Sequence, residues 1–462
     1  MFIEKANHLF RVKKLKQMRN LFLPLLFSFV LFSCKNEVTN PTYSHDIAPI
    51  IYRSCSPCHR PNQIGHFNLL TYEDIQTNAN KIQYTIVNKL MPPWPADHHY
   101  TSFVGENILS QKEIDMIDTW IKNKCPIGDS SAIPKLPSFP VGSMLGTPDL
   151  HIPVKPIQLF GDYADQFLVV KVPFELPQDS FISMVEFVPG NTKVVHHVNG
   201  DMVRFDFDKK KNIYDGSMVD NLVWDSTIRL TYKRIGLLHD DDTYPTLVRS
   251  VVNYLPGVVA QKYPEGIGGW KVNRKNAFLL ADIHYGPTVD DVWDSSFINI
   301  FYAKSTPKRP LQEFQLGTLG VSPINPPLVI PPNKISTYTS SYTVPQDISI
   351  LTINPHMHLL GKSFWAYALT PAKDTIRLIR IPKWDFNWQN FYTYKHMLKI
   401  PAGSTIYIEG VFDNTADNPY NPNHPPKEVR DNNGSMRTTD EMFQFIITYL
   451  PYEEGDENIS LE

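Results

Sequence analysis

The stretch ISILTINPHMHLLGKSF, residues 348–364, joins an apolar alternation to two histidines that stand two positions apart. Side chains two positions apart on an extended strand face the same side. His356 and His358 can therefore present both imidazoles to one centre, while Met357 points into the opposite layer. The stretch predicts a β-strand that carries half of a metal site, although a lone histidine is more often a packed core or surface residue.

Similar alternations recur along the rest of the chain between turn residues: FLVVKV, FISMVEFV, FLLADIHY, FINIFY, IRLIRI, TIYIEGVF and MFQFIITYL. With 39 Pro, 22 Gly, 8 Trp, 22 Tyr and 26 Phe, the composition favours short strands over long helices. We expect two all-β sandwich or jelly-roll domains, over residues 148–306 and 307–453, because the prolines of KSTPKRPLQ (304–312) divide the region. The acidic tail, residues 454–462, is expected to be solvated. The net charge of −3 leaves no large basic surface, so nucleic acid is not an expected partner.

The N-terminus is typical of an exported lipoprotein. Basic residues precede LFLPLLFSFVLFS (21–33), an apolar run that is too short for a lasting membrane-spanning helix. Leu31-Phe32-Ser33-Cys34 resembles the bacterial lipobox, so residues 1–33 are predicted to be a signal peptide and Cys34 the lipidated mature N-terminus. The alternative is an ordinary secretory signal with a chance cysteine. We expect a protein of the bacterial cell envelope, held by its lipid on a membrane at the periplasmic or outer-membrane surface.

Residues 34–130 contain the arrangement C-x-x-C-H, as Cys55-Ser56-Pro57-Cys58-His59. Two thiols at this spacing add to the two vinyl groups of one porphyrin, and the next residue ligates the iron, so the motif predicts covalently bound haem c. A redox C-x-x-C pair does not require His59. A zinc knuckle needs more ligands than are nearby.

The second axial ligand is predicted in MPPWPAD (91–97), where Met91 resembles the distal methionine of small class I cytochromes c and His98 and His99 are reserve candidates. SQKEIDMIDTWIKNK (110–124) predicts a helix that opens with a Ser110–Glu113 capping box. We expect a small all-α cytochrome c domain, followed by a Pro-rich linker over residues 131–147. Cys125 is assigned no role.

Three more histidines lie in strand-like contexts, the pair His196 and His197 in KVVHHVNGDMV and His284 in FLLADIHYGPT. Adjacent residues face opposite sides of a regular strand, so the pair can reach one centre only at a bend, bulge or strand end. Asn199-Gly200 permits such an irregularity. In MFQFIITYL, the alternation gives the aromatic face to the core and leaves Met442 on the other face.

Four motifs follow one another between His196 and Tyr452: an HH pair, a strand ending in IHYG, H-x-H followed by LGK, and DEM before a strand ending in TYLPY. This constellation resembles the copper type II, ascorbate-dependent monooxygenases, the family of peptidylglycine α-hydroxylating monooxygenase and dopamine β-monooxygenase. The resemblance implies an electron-transferring copper on His196, His197 and His284. It implies a second copper, which meets O2 and substrate, on His356, His358 and Met442.

The implied ligands suit the chemistry of copper. Imidazole binds both oxidation states, whereas the soft thioether of Met442 favours Cu(I), the state that must bind O2. The expected cofactors are thus two copper ions and one haem c, with ascorbate or another cytochrome as the redox donor. The haem would relay single electrons from a domain tethered by the Pro-rich linker.

The sequence departs from the peptide-amidating members of the family at the positions that anchor a substrate carboxylate. Asn354 stands in place of their arginine and Ile446 in place of their tyrosine, so a neutral or less polar small-molecule substrate is expected. Asp282 stands where those enzymes have an amide side chain. The β region contains no cysteine, so packing must replace the disulfides of the animal enzymes.

The function that we expect is hydroxylation of a C–H bond of an organic substrate by O2. One alternative is an electron-transfer lipoprotein that binds haem and copper without hydroxylase activity. A third reading is a β-sandwich binding module whose histidines are structural. The presence of Met442 argues against the third reading and modestly against the second, because a pure relay has no need of an open Cu(I) site.

Overall fold

The structure is a computed structural model. It describes residues 40–139, 142–221, 228–258, 260, 263–432 and 437–462. The predicted signal peptide, residues 1–33, and the predicted lipidation site Cys34 lie outside these described residues. β-Strands dominate the described chain, as the sequence predicts. No helix in the described ranges is both long and apolar enough to cross a membrane.

Residues 40–133, here called the helical segment, fold around an apolar core of their own. The segment contains a π-helix Tyr43–Ile47, α1 (Ala48–Ser54), α2 (Tyr72–Thr77), α3 (Ala79–Val87), α4 (Gln111–Lys122) and a 3-10 turn Ser130–Ala132. The predicted capping box is confirmed, because Ser110 and Glu113 bond each other's backbone N–H groups at the start of α4. Cys125 lies buried in this core as a free thiol.

The next part of the chain, here called the first sandwich, contains two facing antiparallel sheets with strand orders β1-β11-β4-β8 and β6-β3-β9-β5-β7. Both sheets contribute to one apolar core. The elements are β1 (Leu150–Pro153), β2 (Ile157–Leu159), β3 (Gln166–Glu175), β4 (Ser180–Val188), β5 (Val195–Arg204), β6 (Val219–Asp220), α5 (Ile228–Arg234), β7 (Thr246–Tyr254), β8 (Trp270–Val272), β9 (Lys275–Tyr285), β10 (Val292–Asp294) and β11 (Phe297–Tyr302).

The second sandwich repeats this plan with sheets ordered β12-β21-β15-β18 and β14-β19-β16-β17. Its elements are β12 (Gln312–Gly317), β13 (Val329–Ile330), β14 (Lys334–Thr343), β15 (Ile348–Met357), β16 (Gly361–Leu369), β17 (Thr375–Ile381), β18 (Tyr392–Ile400), β19 (Thr405–Asn414), β20 (Val429–Arg430), β21 (Phe443–Pro451) and a 3-10 turn Asp456–Asn458. Every residue of β15 is buried, so the strand predicted from the alternation has no solvent face.

The two sandwiches pack directly against each other within one compact unit, residues 40–462. Leu351, Met397 and Leu450 of the second sandwich join the apolar core of the first. One face of β15 therefore packs in its own sandwich and the other lies toward the first sandwich. The predicted division at residues 304–312 falls between β11 and β12, although the cores on either side are continuous.

The acidic tail is solvated only in part. Three of its acidic residues, Glu454, Glu457 and Glu462, are exposed. Asp456 is buried, and its carboxylate accepts two hydrogen bonds from the Arg309 guanidinium at 2.7 and 2.8 Å and one from Ser349. Ile459 and Leu461 pack against the core. The Asp456 carboxylate thus pairs with Arg309, which lies in the segment between the two sandwiches.

We predict that Asp456→Ala lowers the free energy of unfolding by about 3–5 kcal/mol, because it leaves Arg309 buried without its partner. Burial alone would raise the pKa of Asp456, but the bonds from Arg309 and Ser349 hold that pKa below its ordinary value. This contribution to stability is present above the unfolded-state pKa and is lost as the pH falls through the folded-state pKa. Urea unfolding at neutral and acidic pH measures both effects. The exposed neighbour Glu457 serves as control, and an equal loss in Glu457→Ala would contradict the prediction.

Candidate metal centres

Three histidines meet where β5 pairs with β9. His197 and His284 are register partners across these strands, and their ring centroids lie 5.0 Å apart. The register shifts between Val195 and His197, so His196 sits in an irregularity and its ring comes within 4.8 Å of that of His284. The irregularity predicted from the adjacent histidines is present.

Gly286, the last residue of the IHYG motif, packs against the His196 ring. A Cβ at position 286 would stand 2.6 Å from Nε2 of His196, a separation that real Cβ atoms do not reach. Glycine is therefore required here for a close approach rather than for a turn. The IHYG motif thus carries both His284 and, two residues later, the glycine that packs against the His196 ring.

Two carboxylates hold the outer nitrogens of this histidine set. Nε2 of His197 lies 2.8 Å from Asp282, and Nε2 of His284 lies 2.7 Å from Asp165. Because a carboxylate accepts, each Nε2 carries the proton and each Nδ1 carries the lone pair. Both Nδ1 atoms are buried without a hydrogen-bond partner. Buried, unpartnered lone pairs backed by carboxylates are the arrangement that imidazole metal ligands adopt.

Burial favours the uncharged form of two of the imidazoles. It lowers the pKa of His196 to about 4 and the pKa of His284 below its ordinary value. Burial alone would raise the pKa of Asp282, but the interaction and hydrogen bond with His197 lower it to about 2, so this residue stays a carboxylate. Within the described ranges, no three His, Cys, Asp or Glu side chains are drawn together around one point as a closed metal site. The three imidazoles are neighbours with free nitrogens, and closing around an ion requires ring rotation.

The second set lies at the ends of β15 and β21. The rings of His356 and His358 are 5.0 Å apart and nearly perpendicular, and both residues are buried. In the strand register, His356 faces Gln444 and Met357 faces Phe443, so the continuation of this register places Met442 opposite His358. Opposed residues on antiparallel strands share a face. Met357 and Phe443 lie in the apolar core, as the alternation predicts.

The outer nitrogens of this pair are also held. Nδ1 of His356 meets the amide oxygen of Gln389 at 2.5 Å, and Nδ1 of His358 meets the backbone oxygen of Asp440 at 3.0 Å. Both acceptors put the proton on Nδ1, which leaves the lone pair on Nε2. Burial lowers the pKa of His356 to about 3 and lowers that of His358, so both rings are neutral.

Glu441 fixes the strand end that carries Met442. Its buried carboxylate accepts hydrogen bonds from the backbone N–H groups of His358 at 2.9 Å, Leu360 at 2.6 Å and Met442 at 3.2 Å. Burial raises the pKa of Glu441 to about 8, whereas these three bonds lower it. The sequence contained this residue in the DEM motif, but nothing in the motif indicated that it binds the H-x-H turn.

Residues 382–391, here called the bridging loop, lie between the two histidine sets. The ring of Phe386 lies 5.6 Å from that of His197 and 5.9 Å from that of His358. Gln389 bonds His356 through its oxygen, and its amide nitrogen approaches Nε2 of His197 to 3.4 Å. Because Nε2 of His197 already donates to Asp282, the second approach is a contact rather than a hydrogen bond. Sequence reasoning missed both residues, since no periodicity or motif marks the loop.

The C-x-x-C-H motif follows α1. Nδ1 of His59 lies 3.1 Å from the backbone oxygen of Phe67, which directs the Nε2 lone pair away from the loop. Burial raises the pKa of Cys55 to about 12 and that of Cys58 to about 11. Haem attachment through these two thiols remains a prediction.

The predicted second axial ligand, Met91, lies on the loop after α3 with 38% of its surface exposed. The rings of His98 and His99 lie 3.8 Å apart on the following segment, where Asp97 N–H donates to the backbone oxygen of Arg380 in the second sandwich. Met91 as ligand and these histidines as reserves remain predictions.

We predict that Glu441→Ala destabilises the protein by several kcal/mol, because it leaves three buried N–H groups without an acceptor at about 1–3 kcal/mol each. The amides of His358, Leu360 and Met442 should lose protection in hydrogen exchange. Thr439→Ala, at an exposed position two residues away, is the control. Unchanged protection of these three amides in Glu441→Ala would contradict the role given to the carboxylate.

Comparison with known proteins gives one informative match. A structure of infectious bursal disease virus, Gt strain, covers 66% of this chain and 77% of its own at 10% identity, but its TM-score of 0.14 carries no argument. A search of curated proteins finds no match. Residues 317–456, the part of the chain that holds His356, His358, Glu441 and Met442, match the model of the copper type II ascorbate-dependent monooxygenase C-terminal domain.

Proposed function

We propose that the protein is a copper monooxygenase that hydroxylates a C–H bond of a small organic substrate. In the overall reaction, O2, one C–H bond, two electrons and two protons give a C–OH group and water. The observation that carries the proposal is the face shared by His356, His358 and Met442 inside the segment that matches the monooxygenase C-terminal domain. When bound, copper supplies the redox chemistry with O2, and haem c supplies single electrons.

The two histidine sets are suited to different tasks. His196, His197 and His284 offer imidazole nitrogens alone, which tolerate both copper oxidation states and suit electron transfer. His356, His358 and Met442 add a thioether that favours Cu(I) and leave a coordination position open for O2. The carboxylates of Asp282 and Asp165, and the amide of Gln389, fix ring tautomers that leave one nitrogen of each imidazole unprotonated.

The substrate that we propose is neutral. Asn354 and Ile446 are register partners on the face that carries His356, and both are buried. The Asn354 amide donates to the backbone oxygen of Asn390, so it holds the bridging loop rather than facing an open site. Neither side chain can pair with a carboxylate as arginine does. A substrate with an apolar reacting group meets no unpaired charge at these two positions.

The helical segment would supply the electrons for the reaction. We propose that Cys55 and Cys58 bind haem c covalently, with His59 and Met91 as axial ligands, and that ascorbate or another cytochrome reduces it. Cys34 is proposed as the lipid-bearing residue that anchors the protein to a membrane of the cell envelope. These roles are supported by the motif spacing and by the hydrogen bond that sets the His59 tautomer.

We predict that Met442→Ala abolishes substrate-dependent O2 uptake by copper-loaded protein while leaving one copper bound per chain at the all-histidine site. Met357→Leu is the matched control, because this methionine lies one position away from the H-x-H imidazoles on the core face of the same strand. Its volume changes little, so its activity should be retained. Oxygen electrode measurements over a panel of neutral substrates, together with metal analysis, give both results. Full uptake in Met442→Ala would contradict the proposal.

We predict that Asp282→Asn lowers the copper affinity of the all-histidine set by about 10–100-fold, because it removes the charge that orients His197. Titration against a copper chelator of known affinity measures the change. Asp179→Asn, at an exposed position on the same sandwich, should bind copper as the wild type does. Equal affinities in the two variants would show that the carboxylate does not support a metal ligand.

A further inference from the structure

The C-x-x-C-H motif touches the first sandwich directly. A Cβ at Gly257 would stand 2.8 Å from the sulfur of Cys58, so the backbone of the loop after β7 lies against this thiol. The Thr192 hydroxyl donates to the backbone oxygen of Asn62 on the loop that follows His59. Two separate points of the first sandwich therefore hold the motif and the loop that follows it.

Tyr254 connects this contact to the histidines. It is the last residue of β7 and the register partner of Val198 on β5, the residue directly after His197. Its ring packs against Phe187 at 5.7 Å. Burial raises the pKa of its hydroxyl, and the nearby Cys58 raises that pKa further. β7 therefore leads from the loop that contacts Cys58 to β5, the strand that carries His197.

The linker does not leave the helical segment free to diffuse. The guanidinium of Arg60 lies 4.1 Å from the centre of the Phe139 ring, and the N–H of Met144 donates to Glu186 on β4 at 2.6 Å. The linker is thus bound at its middle and near its C-terminal end. The expectation of a tethered domain that finds its site through high effective concentration is replaced by a packed interface.

We propose that the contact of Cys58 with Gly257, three residues after the end of β7, is a fixed electron-entry interface between the haem and the all-histidine centre. This inference rests on the proposed function, since it requires both cofactors. In each transfer the haem iron is oxidised from Fe(II) to Fe(III), and copper on His196, His197 and His284 is reduced from Cu(II) to Cu(I). No bond forms or breaks in the protein. A donor of the ascorbate or cytochrome class reduces the haem again, and two such transfers supply one turnover.

The chemistry of the motif favours this face. A haem joined to Cys58 would have its thioether at the contact with Gly257. From there the path runs along Tyr254 and the paired backbones of β7 and β5 to His197. Gly257 is exposed and Cys58 and Tyr254 are half-buried, so the contact lies at the edge of the interface. No domain movement is needed to complete the path.

Full-length protein carrying haem and copper tests the interface. A reductant pulse that delivers less than one electron per chain is applied without O2, and the equilibration of the electron is followed by haem absorbance and by the Cu(II) signal in electron paramagnetic resonance. Gly257→Ala is the test variant and Gly266→Ala the matched control. Both glycines have positive φ, +79° and +76°, but a Cβ at Gly266 meets nothing within 4 Å. The two substitutions thus share backbone strain and differ in contact with Cys58.

We expect a wild-type equilibration rate that does not depend on protein concentration. Gly257→Ala should lower this rate severalfold, since its added Cβ must displace the Cys58 sulfur from the loop after β7. Gly266→Ala should retain the wild-type rate. Thr192→Val, which removes the bond to Asn62, is a second test variant if Gly257→Ala does not fold, and it should also slow the transfer.

Three results would overturn the inference. Equal electron-transfer rates in the Gly257→Ala and Gly266→Ala proteins would show that the contact is not on the path. If Gly257→Ala does not fold, equal rates in Thr192→Val and the wild type would show the same. A rate that rises with protein concentration would show transfer between molecules. Absence of bound haem or copper by absorbance and metal analysis would overturn the proposed function itself, and this failure is distinguishable because it precedes any kinetic measurement.

Discussion

The burial of β15 on both faces is the constraint on which the rest of the structure depends. An extended strand must send alternate side chains to opposite sides, so one face of β15 packs in the second sandwich and the other meets the first. Apolar side chains of β15 fill both buried layers up to the end of the strand, where His356 and His358 follow. There, polar side chains lie in the same buried layer, and each must find a partner or bind an ion. The partners, Gln389 and Asp440, take one nitrogen of each ring and leave the other.

The same constraint brings the two histidine sets together. Because the second face of β15 lies toward the first sandwich, β5 and β9 approach it with His197 and His284. The bridging loop fills the space with Phe386 and Gln389, and the Asn199 side chain bonds Gln389 at 3.3 Å. The bridging loop therefore contacts residues of both histidine sets.

Much of this arrangement follows from sequence patterns that act over short distances. The alternation through Met357, the capping box of α4 and the irregularity at His196 each depend on neighbouring residues, and each is present. The contributions of Gln389, Asp165 and Glu441 could not be predicted, because they depend on which loops the tertiary fold brings beside the histidines. The burial of Asp456 was mispredicted for the same reason, since a run of acidic residues gives no sign of a distant arginine. The docking of Cys58 on Gly257 depends on packing between segments that are about two hundred residues apart in the sequence.

The central claim is that two imidazoles at the end of β15 and the methionine directly before β21 hold a single copper ion. X-ray absorption at the copper edge of the reduced protein tests this claim most directly. A sulfur neighbour that is present with wild-type chain and absent after Met442→Ala is the predicted result. A first shell of nitrogen and oxygen alone, identical in both proteins, would contradict it.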